Sequence, residues 1–463
     1  MRELGVPGAS FALTDRKGTF HSAGIGVREL GKPAPVDADT EFLIASNTKG
    51  LATLLLAKLA DEGKLRWDQP VTQLYPDFRL GSAETTSKVL VKHLVCACTG
   101  LPRKDLQVIL NSDPDAAAKD TFVQLAATQP TSGFGEVFQY NNLMAAAAGY
   151  VGAHLLHPDM ELGAAFDRSM DEKIFGPLGM KATTFDFATA MRGNWARPHA
   201  DSIANQPTVT LGSGMGLNRA FTRYAGAGGA WSSANDLAKY VRFELNEGKL
   251  DDGRQWVTKA NLMQRRVPTV PVGEDRFYGM GLQVDRDYGI DIVHHGGSLA
   301  GYKSDILILP DAGIGAVLLT NADNGQAMLR PFQRRLLELL YDGKPEAAAE
   351  VAATAKRNRA EIAKEAELVQ QVPDSAAVAA LAPAYVNEDL GRIDVARSGN
   401  GVTFRFRTLS SAMGTKKNED GSVSFIALDP TILFWPITVG EREGLKVLFV
   451  RDGQHEFVFT PTV

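Results

Sequence analysis

Ser46 and Lys49 lie three residues apart where a short apolar run, "EFLIAS", gives way to a longer one, "NTKGLATLLLAKLADEGKL". A serine in the first turn of a helix meets unpaired backbone N–H groups and the positive end of the helix dipole, which favour negative charge. A lysine three residues on lies on the same face, so its amine can approach the serine oxygen. The amine takes a proton only when burial or a neighbouring cation holds it neutral. The chemistry would be nucleophilic attack by Ser46, with Lys49 as proton acceptor. A capping serine followed by a surface lysine is the plain alternative, and Ser-x-x-Lys arises by chance about once in a chain of this length.

Two further groups carry the same chemistry. In "FQYNNLMAAAAGYVG", Tyr140 and Asn142 precede an alanine-rich helix and can point into one cleft. Tyr140 would relay a proton and Asn142 would donate to a substrate carbonyl; the alternative is that Asn142 only caps the helix. In "VHHGGSLAGYKSDILILP", His295, Gly296, Gly297 and Ser298 end a strand. Gly296 and Gly297 would leave room for a substrate backbone along its edge. The N–H groups of Ser46 and Ser298 would then form an oxyanion hole. A plain Gly-Gly turn beside a surface histidine is the competing reading.

The elements that must position these residues are legible in outline. Leu51, Leu55 and Leu59 recur every four residues and Gly63 follows as a C-cap, which predicts a helix behind Ser46. The runs "GASFALTD" and "GTFHSAGIGV" read as a hairpin. Three later runs, "GIDIVHHGG", "KSDILILP" and "GIGAVLLTN", are spaced too tightly for helical crossovers and should pair antiparallel. The expected class is therefore α+β: an antiparallel sheet from both ends of a domain, flanked by helices, with a helical subdomain inserted. Residues 345–374 read as a connecting helix. Residues 375–463 read as a small all-β barrel of short strands, without chemistry of its own. The expected divisions are thus 1–344, 345–374 and 375–463. A barrel loop, Leu409 to Thr415 or Thr431 to Pro436, is expected to roof the cleft.

Composition narrows the classes. Apolar residues at 44% and charged residues at 22% are those of a globular protein, and a net charge of −5 gives no reason to expect nucleic acid. No run approaches the roughly 18 apolar residues of a membrane span. Cys96 and Cys98 in "VCACTG" are read as packed or partly exposed thiols, too close in sequence to bridge each other and too few for zinc.

Together the three groups resemble the penicillin-recognising serine hydrolases: class C β-lactamases, D-alanyl-D-alanine peptidases and related esterases. The resemblance extends over residues 5 to about 340, through phrases such as "VPGASFALTD", "LADEGKLRWDQPVTQLYPDF", "IFGPLGMKATTF" and "AGGAWSSANDLAKY". Two departures bear on substrate. His295-Gly296-Gly297 replaces the usual Lys-Thr-Gly, which removes partners of a substrate carboxylate and argues against efficient β-lactam hydrolysis. Cys96-Ala97-Cys98 replaces the usual His-Thr-Ser. The resemblance also implies a long helix ahead of the sheet, so a leader and part of that helix are expected to be missing. That would mean a periplasmic or secreted protein, and otherwise a cytoplasmic one.

The resemblance implies an acyl-enzyme on Ser46, with Lys49 and Tyr140 sharing proton transfer, Asn142 orienting the acyl group, and Tyr140 or His295 activating water. No metal or cofactor is required. The glycine-rich stretch "NQPTVTLGSGMGLNRAFTRYAGAGG" is expected to wall the cleft as a movable lid, with Arg223 and Tyr224 as possible substrate contacts. The expected substrates are short peptides, including ones with D- or unusual residues such as linearised microcystin. A carboxylesterase, a weak β-lactamase, a hydrolase built on Cys96 or Cys98, and a catalytically silent peptide-binding protein are the rivals. A homo-oligomer is compatible with all of them.

Overall fold

A computed structural model describes residues 1–462 other than 112, 114, 287, 288 and 454. Gly8–Asp15 and Thr19–Gly26 form the expected hairpin at one edge of an eight-stranded sheet. Gly8–Asp15 then pairs with Ile314–Thr320, which pairs with Tyr302–Leu309, which pairs with Ile292–Leu299, all antiparallel. Three short strands that the sequence pattern did not signal, Gln283–Asp285, Arg276–Tyr278 and Val270–Gly273, complete the sheet. They are short and lack sustained alternation, so neighbouring strands rather than local pattern define them.

Within the strand Ile292–Leu299, only residues 292–294 pair with Gln283–Asp285. On that edge, residues 295–299 have no strand partner among the described residues. The opposite face of the same strand pair is covered by the helix Gln326–Leu340.

Thr48–Asp61 forms the helix expected behind Ser46, and its leucines are buried. Glu62 ends it and Gly63 follows at φ +70°, the left-handed conformation in which a glycine closes a helix without a Cβ clash. It packs against Asn142–Leu156, whose alanines and Gly149 and Gly152 let helices and rings approach closely.

Ala347–Leu368 is the connecting helix; it is largely exposed, with Ala347 and Ala355 buried. Eight strands from Ala384–Asn387 to Glu456–Pro461 then close into a barrel. Ser410–Lys417 is one of these strands, so the expected Leu409–Thr415 loop is instead hydrogen-bonded wall. The barrel shares its core with the rest of the chain. Phe406 and Leu409 belong to the same buried cluster as Val108, Leu110 and Phe221. Thr408 Oγ1 donates to the Ile109 carbonyl at 2.5 Å, Asn111 Nδ2 to the Asp389 carbonyl at 3.1 Å, and Ser213 Oγ to the Ser410 carbonyl at 3.0 Å. Among the described residues no helix is long and apolar enough to cross a membrane.

Candidate active site

Ser46 lies in a tight 3-10 turn, Ala45–Asn47, that leads directly into the helix Thr48–Asp61. Ala45 has φ +48°, an unfavourable region for a residue with a Cβ. Tertiary bonds hold the turn there. Ser304 Oγ donates to the Ile44 carbonyl at 2.6 Å, Asn47 Nδ2 donates to Ser304 Oγ at 2.8 Å, and Thr48 Oγ1 donates to the Ala45 carbonyl at 2.7 Å. Gly297 passes against the same turn, where a Cβ would lie 2.2 Å from both the Ile44 carbonyl and Ser304 Oγ. Gly297 is thus required for packing, not for substrate clearance. Gly296 has no such neighbour within 3.9 Å and faces the other way. Ser298 is exposed on the unpaired edge of its strand.

Lys49 is buried, and its Nζ has three partners: Ser46 Oγ at 3.1 Å, Asn142 Oδ1 at 2.8 Å and the Ala227 carbonyl at 2.6 Å. Burial pushes the amine well below the ordinary lysine range; Asp105 opposes that shift and Arg103 adds to it. The two oxygens from Asn142 and Ala227 only accept, so they take two N–H groups of the amine. Ser46 Oγ lies in the third direction, where a charged amine donates and a neutral one presents its lone pair.

Asn142 has a further job besides the one its spacing suggested. Its Oδ1 accepts from Lys49 and one Nδ2 hydrogen goes to Asp105 Oδ1 at 3.0 Å, which leaves the second amide N–H as the one donor for a substrate carbonyl. It is not the helix cap. Asn141 caps, accepting the Met144 N–H at 2.9 Å.

The Tyr140 ring lies against two basic side chains, with Lys49 Nζ 4.6 Å and Arg103 Cζ 5.4 Å from its centroid. Its buried hydroxyl lies beside Ser46 and Tyr278 without completing a well-aligned hydrogen bond to either. Burial raises its pKa above the ordinary tyrosine range, so it is a neutral phenol suited to passing a proton and unsuited to being a resident base.

His295 is buried on the same side, and both ring nitrogens are engaged. Nδ1 meets the Gly296 carbonyl at 2.7 Å and Nε2 meets the Tyr278 hydroxyl at 3.0 Å. A carbonyl only accepts, so Nδ1 carries the proton and Nε2 accepts from Tyr278. Burial and the nearby Lys49 push its pKa down to about 3. A ring so committed has no free nitrogen with which to activate water, contrary to the sequence expectation.

Cys96 and Cys98 form a disulfide, which corrects their reading as thiols. Ala97 between them adopts φ +51°, which folds the three residues back and brings the Cα atoms to 5.1 Å. No free thiol remains for a cysteine hydrolase. The bridge packs against Tyr278, Phe138 and Tyr140, and Gln139 N–H bonds the Ala97 carbonyl at 2.9 Å, so this turn holds the segment that carries Tyr140.

The glycine-rich stretch expected to act as a lid is buried structure from Arg223 onward. Ala227 in the short helix Ala225–Gly228 accepts from Lys49. Arg223 bonds the Tyr224 hydroxyl at 2.7 Å and the Asp113 carbonyl at 3.2 Å, and Tyr224 bonds Gln124, so both serve packing. A cavity of about 930 Å³ is not beside Ser46. It lies on the reverse face of the sheet, lined by Asp285, His294, Asp305 and Gln333 among others. Among the described residues no three His, Cys, Asp or Glu side chains converge to hold a metal.

Sequence reasoning missed Arg103, Asp105, Tyr278 and Ala227. Asp105 heads a short helix, Asp105–Asn111, close behind the phrase "TGLPR", but a carboxylate at a helix start is usually a cap, so nothing local marked it.

The family model described as "Beta-lactamase" matches residues 1–339. An unguisins hydrolase of Aspergillus campestris (strain IBT 28561) is 27% identical over 333 residues, covering 68% of this chain and 58% of that protein. The chain thus spans about three-fifths of the length of the curated relatives it matches first. The octameric penicillin-binding protein homologue from Pyrococcus abyssi has TM-score 0.65 at 19% identity, covering 99% of this chain and 97% of that one. A D-amino acid amidase from Ochrobactrum anthropi SV3 has TM-score 0.56 at 19% identity, covering 76% and 95%. These structural likenesses concern the fold, and the first extends through the barrel. With a family match over most of its length and a serine at the head of a buried lysine's helix, the chain belongs to the β-lactamase family of serine hydrolases.

Proposed function

We propose that the protein cleaves amide bonds of short peptides through an acyl-enzyme on Ser46. The observation that carries this is the pairing at Lys49: two acceptors engage its N–H groups, and Ser46 Oγ stands in the remaining direction. Ser46 Oγ attacks the carbonyl carbon while its proton passes to Lys49. The negative charge on the carbonyl oxygen is met by the N–H groups of Ser46 and Ser298. Tyr140 passes the proton on to the leaving nitrogen, the C–N bond breaks, and water then releases the acyl group.

The unpaired edge at 295–299 supports a peptide substrate, since an extended backbone can add to it as a further strand. The name of the relative, an unguisins hydrolase, agrees with a hydrolase, and the reading extends to peptides with D- or unusual residues. A carboxylesterase for short acyl groups is the second reading, favoured by the absence of a cation in His295-Gly296-Gly297.

The test is fluorophosphonate labelling followed by intact mass. Turnover of a chromogenic ester, a cephalosporin, and D- and L-peptide amides is measured alongside. Ser46 should carry the adduct, and peptide amides should be turned over faster than the cephalosporin. An adduct elsewhere with Ser46 unmodified would overturn the assignment, and turnover of esters alone would favour the second reading.

A further inference from the structure

An asparagine amide has two orientations that differ by half a turn, and only one of them suits Lys49. With Oδ1 toward Nζ, Asn142 accepts an N–H and leaves the amine lone pair for Ser46; with Nδ2 toward Nζ, it would compete with Ser46 for that lone pair. Lys49 cannot enforce the choice, because a neutral amine both donates and accepts. Asp105 can. Its carboxylate accepts from Asn142 Nδ2 through Oδ1 at 3.0 Å and from Arg103 Nε through Oδ2. Both oxygens face donors, and Asn142 has one amide end left, its acceptor, which meets Lys49 at 2.8 Å.

We propose that Asp105, held by Arg103, is a positioning residue that fixes the amide of Asn142 and so aims the Lys49 lone pair at Ser46. The proposal rests on the acyl-hydrolase reading above and names what sets its proton acceptor. Asp105 touches neither the nucleophile nor the scissile bond and acts through Asn142. The other titratable groups around Lys49 are Tyr140, His295 with Tyr278 behind it, and His93 across a small cavity. Of the charged pair beside it, Asp105 raises the lysine pKa and Arg103 lowers it. Removing either charge should therefore move the acidic limb of the rate–pH profile, in opposite directions.

The experiment compares wild type, Asp105→Ala, Asp105→Asn and Arg103→Gln, each checked for an unchanged circular dichroism spectrum. The rate of Ser46 labelling by a fluorophosphonate is measured from pH 5 to 10, with kcat and KM on a chromogenic ester. Asp105→Ala should lose on the order of 10²-fold in labelling rate and kcat, the cost of a misaimed catalytic group, with KM little changed. Asp105→Asn, the same shape without the charge, should fold even where the alanine variant does not. It should move the acidic limb to lower pH, whereas Arg103→Gln should move it to higher pH. Labelling rates within threefold of wild type with an unmoved limb would overturn the proposal. A loss of rate with the limb unmoved would do the same, since it would mark a purely structural role. If Ser46 of the wild type is not labelled at all, the hydrolase reading fails and takes this proposal with it. If the wild type is labelled and the Asp105 variants match it, only this proposal fails.

Discussion

The chain contains two eight-stranded antiparallel structures, and they differ in one respect that decides where chemistry can occur. The sheet is open and leaves residues 295–299 without a partner on one edge, beside the serine. The barrel is closed, so each strand is paired on both sides. The sheet region also buries ionisable groups, among them Lys49, Glu244, Arg265, His295 and Asp305. Among the described residues the barrel buries the hydroxyls of Ser411, Thr415 and Ser424, which do not titrate in the ordinary pH range, and one phenol, Tyr385, whose pKa burial raises further. An unpaired edge and buried ionisable groups carry a cost in stability, and the sheet carries both where the site lies.

The comparison can be broken most severely at the nucleophile. Ser46→Ala should reduce turnover by at least about 10⁴-fold. Its melting temperature should stay near the wild-type value, because a small side chain still fits the turn. Lys49→Arg keeps a charge that cannot be shed and should cost on the order of 10³-fold in acylation, read by stopped-flow burst kinetics. Near-native rates in that variant would make Lys49 structural.

Matched glycines sharpen the contrast next. A Cβ at Gly297 meets the Ile44 carbonyl and Ser304 Oγ at 2.2 Å, while one at Gly440 in the barrel meets the edge of the Phe449 ring at 2.3 Å. Backbone cannot yield as a half-exposed ring can. Gly297→Ala should lose on the order of 1–3 kcal/mol in urea unfolding together with most activity. Gly440→Ala should lose less stability and no activity. Equal effects on activity would mean that the barrel shapes the site more directly than its contacts imply.

Acid and base should act on the sheet from opposite sides. His295 has its folded pKa depressed to about 3, so its contribution is present above the ordinary histidine pKa of about 6.5 and is lost as pH falls toward 3. Asp305 is raised to about 7 by burial, so its contribution is present below about pH 4 and is lost as pH rises through 7. Asp305→Asn should therefore melt higher than wild type at pH 8 and equal to it at pH 4 by calorimetry. A uniform offset at both values would assign the effect to packing.

The smallest effect is expected where the two structures meet. Thr408→Ala removes the hydroxyl that holds the Ile109 carbonyl, in the helix that Asp105 heads. A two- to fivefold fall in kcat is expected, of the order that one net hydrogen bond of about 1 kcal/mol can exert.

Much of this was legible in the sequence because it depends on local pattern. The helix behind Ser46, the terminal hairpin and the late strands follow from spacings of four and two residues, and Ser46 and Lys49 follow from position on one helix face. Residues that act through space were not legible. Asp105 and Asn142 are 37 positions apart, and Lys49 and Ala227 are 178 apart. His295 was identified as a site residue, yet its role changed because a side chain's chemistry depends on which of its atoms are already bonded, and Asn142 gained the partners Lys49 and Asp105 for the same reason. Cys96 and Cys98 were misjudged because bridging them requires Ala97 in a conformation that composition does not reveal. By itself the sequence determined the elements and the reactive pair at the head of one helix, since both are short-range properties of the chain. Only the tertiary structure decided which acceptors surround the lysine, which strand edge stays open, and that the glycine at 297 serves a backbone crossing. Those are contacts between distant segments, fixed by packing and by the requirement that buried polar atoms find partners.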